Sequence, residues 1–229
     1  MATPPAHRPV TTAQDMRPRA HSGDDLVDFI MDLEEPNRSK ELNSWLKDLC
    51  SLIDVEGHSN TIEVRSLLET GKVLLSRVYF HGLLDTVPLT TEPDLSVNHN
   101  KYGSTSGWGY EVKMKIDPCP VVDGCTLLGV HVASTLVHEM CHAFLDRYSC
   151  ANRACGDEKC MGKLNVEYGQ GGHGYTWNLL ASVIDTKVKG HFEVDLPLAA
   201  KECSADEDEL LAVYGDWLEE QIWPPDPHQ

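Results

Sequence analysis

One stretch constrains this chain more than any other: STLVHEMCHAFLDRYSC, residues 134–150. Leu136, Val137, Met140, Ala143 and Phe144 make it apolar over most of its surface, as a helix inside a protein core is. Yet His138, Glu139 and His142 fall within the same short run. A helix turns by about 100° per residue, so the two histidines lie one turn apart on one face. Two imidazole nitrogens at that spacing suit a single zinc ion. Glu139 follows the first of them, where a carboxylate can take a proton from a water at the metal. The alternative is an amphipathic helix whose polar residues form a solvent-facing rim. The apolar surroundings favour a buried site.

Catalytic zinc takes three protein ligands and keeps a fourth position open. The metzincin pattern would place a glycine at position 145 and the third histidine at 148. Leu145 and Tyr148 stand there, so that pattern is excluded. His173, in GQGGHGYTW, is the best third ligand. Gly171, Gly172 and Gly174 let the backbone approach closely. His173 also lies four residues before Trp177, on the packed face of its helix, and so points toward the 131–148 helix. His131, two turns before His138, suits a supporting or core role. His58, His81, His99 and His191 have no spacing relation to the pair and suit surface or capping roles.

The remaining chain reads as α+β. Residues 1–23, rich in Pro, Thr, Ala and Arg, show no apolar periodicity and are expected to be disordered. A first helix is expected from Asp25 to Leu33, ending before Pro36. Ser39 is a candidate N-cap for a second, with Leu42, Trp45, Leu46 and Leu49 at helical spacing. A third is expected over 61–84. Val112, Met114 and Ile116 then alternate with Glu111, Lys113 and Lys115, the pattern of a half-buried strand. Thr86–Thr91 and Leu95–Val97 are weaker strand candidates. The histidine-bearing helix should start at about Thr126 or His131 and end at Tyr148. GGHGYTW opens another helix, and an acidic one is expected over 205–222, with Tyr214, Trp217 and Leu218 docking on the core or forming an interaction surface.

Composition sets limits on function. The 229 residues are 41% hydrophobic and 24% charged, ordinary for a globular protein, and no apolar run is long enough to cross a bilayer. The N-terminus lacks the apolar segment of a secretory signal, so an intracellular protein is expected, whose eight cysteines serve as thiols or metal ligands rather than disulfides. The net charge of −17 argues against broad nucleic-acid binding. Residues 201–229 hold nine acids against the single base Lys201 and contribute much of that charge.

STLVHEMCHAFL, followed about thirty residues later by GGHGYTW, resembles the SprT-like domain, the family of Spartan-type DNA–protein crosslink proteases and bacterial SprT proteins. The motifs span roughly residues 105–190, and EVKMKID matches in placement. The resemblance implies a zincin-like fold over 24–200, its active-site helix packed with a small mixed or antiparallel sheet and flanking helices. It implies one catalytic zinc on His138, His142 and His173, and Glu139 as the catalytic glutamate. It also implies a protein or peptide substrate, DNA as a partner and a nuclear location; a cytoplasmic one stays open. A monomer without membrane attachment is expected. Its eight cysteines form no C-x-x-C pair, so the zinc ribbon that many members of the family carry is not expected. Instead the chain carries Cys150, Cys155 and Cys160 after the second ligand. With Cys203 these could hold a second metal; free thiols or a disulfide stapling a lid are the alternatives. Arg147, Arg153, Lys159 and Lys163 flank the site, with Lys113 and Lys115 on the strand, and are its local basic residues. Tyr168 or Tyr175 could stabilise an oxyanion or simply pack. Two further readings stay open: a binding module with structural zinc, and an acidic tail that covers the cleft.

Overall fold

The computed structural model describes residues 10–34, 36–55, 61–121, 128–150, 172–194, 196 and 198. Among them are six α-helices and a three-stranded mixed sheet. The helices are α1 (Gly23–Met31), α2 (Ser39–Cys50), α3 (Thr61–Tyr79), α4 (Leu95–His99), α5 (Leu128–Tyr148) and α6 (Tyr175–Lys189). The strands are β1 (Leu89–Thr91), β2 (Gly103–Ser106) and β3 (Lys113–Ile116). The chain divides into two units, 1–198 and 199–229. The second lies outside the described residues, as does the expected helix over 205–222. No described helix is long and apolar enough to cross a membrane.

Helix α5 forms the centre. Fourteen of its 21 residues are buried, so it is a core helix and not a surface helix with a polar rim. It packs against α2, α3, α6, β2 and β3. Trp177, Phe80, Phe144, Leu42, Leu49 and Leu68 are among the fully buried side chains around it. The start of α5 lies so close to the end of α2 that a Cβ on Gly129 would stand 2.6 Å from the Cys50 Cα. Only glycine permits that approach.

The central strand β3 pairs in parallel with β1 and antiparallel with β2. Met114 and Ile116 are fully buried while Lys113 is exposed, as the alternation required. Thr105 pairs with Met114 and Gly103 with Ile116. Directly paired residues share a face, so Gly103 and Thr105 face the core with their buried partners.

Several boundaries differ from expectation, each for a local reason. Leu95–Val97 is not a strand but the start of α4. The fully buried Asp117 accepts hydrogen bonds from the Ser96 N–H and hydroxyl, both at 2.8 Å, and so anchors that helix's first turn. The third helix stops at Tyr79, because His81 (φ 55°) and Gly82 (φ 77°) take left-handed backbone. Helix α1 begins two residues early, at Gly23, because the Ser22 hydroxyl accepts from the Asp25 N–H at 3.1 Å. Ser39 is the first residue of α2 rather than its cap, which is Arg38.

The expectation of disorder does not hold for residues 10–22. The N–H groups of Arg19 and Ala20 donate to the carbonyls of Arg147 and Tyr148, each at 3.1 Å, and Cys150 N–H donates to His21 at 2.8 Å. This strap satisfies carbonyls at the end of α5 that the helix itself leaves unpaired. Met16 is buried with it.

Replacing Gly129 with alanine should destabilise the protein by about 1–3 kcal/mol, because the added methyl overpacks the α2–α5 contact. Urea denaturation reads the change, and an unchanged midpoint would contradict this packing.

Candidate metal centre

His138 and His142 project from α5, and His173 stands two residues before α6. Their Nε2 atoms form a triangle: 3.3 Å between His138 and His142, and 3.1 Å from His173 to each of the others. These three residues are the one cluster among the described residues close enough to bind a metal ion. Nitrogens that ligate one tetrahedral zinc at about 2.0–2.1 Å stand about 3.3 Å apart, so the donor set fits that ion. His138 donates from Nδ1 to the Leu198 carbonyl at 3.0 Å, which leaves its Nε2 lone pair facing the other two rings.

The rings are held in the neutral state that ligation requires. Burial lowers the pKa of His142 well below the usual imidazole range, and charge on His138 or His173 would lower it further. Burial and His138 bring His173 down to about 4. Burial also lowers His138, against the Leu198 hydrogen bond.

Local sequence explains how His173 reaches α5. Gly172 adopts φ 82°, and a Cβ there would come 3.4 Å from the His142 ring. Asn178 donates to the carbonyls of His173 at 2.7 Å and Gly174 at 3.2 Å, which ties the ligand's backbone to the first turn of α6. The Trp177 indole is fully buried beside all three rings, with centroids 4.7 Å from His138, 5.0 Å from His142 and 4.5 Å from His173.

Glu139 is only 5% exposed. The Thr105 hydroxyl donates to its Oε2 at 2.7 Å. Strand β2 can come that close because Gly103 has no side chain: a Cβ would stand 2.7 Å from the Glu139 Cγ. Burial pushes the Glu139 pKa up to about 7; Thr105 opposes this and the Asp146 carboxylate adds to it. Asp146, one turn beyond His142, is itself raised to about 7 by burial.

The other expected residues sort differently. Tyr175 is half-buried at the first position of α6, two residues from His173. Tyr168, Cys155, Cys160 and Cys203 lie outside the described residues, as do Arg153, Lys159 and Lys163. Cys150 is buried at the end of the N-terminal strap. Arg147 is not a free basic contact: it is 9% exposed, hydrogen-bonded to Thr86, and faces the Tyr110 and Tyr148 rings. Lys115 is paired with Glu92, and Lys113 is exposed. His131 packs edge-on against Tyr102 at 4.5 Å. Sequence reasoning missed Thr105 and Leu198. Thr105 sits in four small residues without apolar alternation, and Leu198 acts through its backbone carbonyl.

No family model, curated protein or solved structure matches the chain. The reading of this centre therefore rests on its own geometry.

The raised Glu139 pKa has a sign that can be measured. Folding favours its protonated form, so this group's stabilisation is fully present below about pH 4.5 and is lost as pH rises through about 7. In metal-free protein, Glu139→Gln should therefore be more stable than wild type by about 2–3 kcal/mol at pH 8, and the advantage should vanish near pH 4.5. Denaturant melts across this range provide the check; no gain at pH 8 would contradict the burial of a bare carboxylate.

Proposed function

We propose that the chain is a zinc-dependent endopeptidase of the SprT-like type, with a zincin-like arrangement of α5 beside strand β2. The observation that carries this reading is the pairing of a three-imidazole donor set with a buried carboxylate on the same helix. Zinc on His138, His142 and His173 would polarise a scissile carbonyl and acidify a water. Glu139 takes the proton from the attacking water and delivers it to the leaving amine. Thr105 holds the carboxylate in place from β2. A buried carboxylate one residue from a ligand histidine, hydrogen-bonded by Thr105, is placed to exchange a proton with a water at the metal. Tyr175 is the described candidate for an oxyanion donor.

The substrate is a protein or peptide. The resemblance of the two histidine motifs to Spartan-type proteases favours proteins associated with DNA or crosslinked to it. The −17 charge and the commitment of Arg147 weigh against a broad phosphate-binding surface on the chain itself. An alternative keeps the metal but makes the protein a binding module.

One experiment separates these. Zinc-loaded protein is incubated with a DNA-binding protein, with and without DNA, and with an unstructured protein. The protease reading expects fragments that a chelator suppresses. Glu139→Gln should keep its zinc and lose two to four orders of magnitude in rate. Wild-type cleavage by the Gln variant would sink the mechanism; metal binding with no cleavage of any substrate would favour the binding module.

A further inference from the structure

A metal-bound histidine usually has its plane fixed by a hydrogen bond from the ring nitrogen that does not face the metal. His138 follows this rule through Leu198. His142 and His173 do not: among the described residues neither has a hydrogen bond at Nδ1. Among the described residues, the contact these two rings share outside the three-histidine cluster is with a single aromatic side chain.

Both rings lie against one indole. His142 stacks on Trp177 with an interplanar angle of 24°, and His173 meets it edge-on at 83°. His138 touches the same side chain at 56°. Trp177 is fully buried, and its own Nε1–H has no hydrogen-bond partner among the described residues. Leaving a buried donor unpaired costs about 1–3 kcal/mol. A phenyl ring would carry no such donor, yet an indole is the side chain set against all three imidazoles. Its position also suits this role, since Trp177 sits on the first turn of α6, four residues after His173, and faces α5.

We infer that Trp177 is a positioning residue of the metal centre. Its indole fixes the ring planes of His142 and His173, where hydrogen bonds would otherwise do so, and thereby sets the affinity of the site for metal. The inference rests on the three histidines being a metal site. It does not depend on proteolysis.

The test is zinc competition against a chromophoric chelator, with the full chain and with Trp177→Phe, Trp177→Leu and Leu180→Ala. Leu180 is equally buried on the same helix and controls for lost packing. Circular dichroism and cooperative urea melts establish that each variant is folded. Trp177→Phe should weaken zinc binding by a few fold and Trp177→Leu by roughly tenfold or more, while Leu180→Ala loses stability with near wild-type affinity. Wild-type affinity in both Trp177 variants, or a loss no larger than that of Leu180→Ala, overturns the inference. Should the Leu variant fail to fold, the Phe variant decides alone, and unchanged affinity in it is the overturning result. A wild-type chain that binds no zinc defeats the metal-centre reading itself; normal wild-type binding with unaltered variants defeats only the role of Trp177.

Discussion

Three imidazole nitrogens within 3.1–3.3 Å of one another form the constraint that organises this protein. Three imidazole nitrogens at this spacing can hold one cation between them. Bringing them together requires two ligands on a rigid core helix and a third delivered from a separate segment. The burial of α5, the close approach of α2 at Gly129 and the N-terminal strap on its last carbonyls all serve to hold that helix fixed. The Asn178 hydrogen bonds and the left-handed Gly172 place the third ligand.

The carboxylate beside the cluster depends on a second approach, that of β2. A two-residue alternation puts Gly103 and Thr105 on the face toward α5, one to leave room and the other to donate a hydrogen bond. Burial raises the Glu139 pKa, while the Thr105 hydroxyl favours its charged form. On the proposed reading, a bound cation would favour the charged form further, leaving Glu139 a buried, oriented proton acceptor.

Which parts were legible in the sequence follows from what each depends on. The helix ending at Tyr148 and its histidine pair were legible because helical periodicity is written in side chains. His173 was legible because glycines on either side mark a close backbone approach. Strand β3 was legible from the alternation of Val112, Met114 and Ile116 with charged residues. Strand β2 was not, because GSTS has no apolar alternation. The strap at residues 10–22 was not, because main-chain hydrogen bonds hold it and composition does not encode them. Helix α4 was misread as strand because its anchor, Asp117, lies 21 residues from Ser96 along the chain. Trp177 was legible as a packed residue, but its contact with three imidazoles depends on how α6 meets α5.

The most direct measurement of the central claim is X-ray absorption at the zinc edge on the metal-loaded full chain. The account predicts three imidazole nitrogens and one oxygen at about 2.0–2.1 Å, with no sulfur in the coordination shell. Sulfur scattering at about 2.3 Å as the main contribution would place the metal on cysteines such as Cys150, Cys155 and Cys160, and would contradict the three-histidine centre.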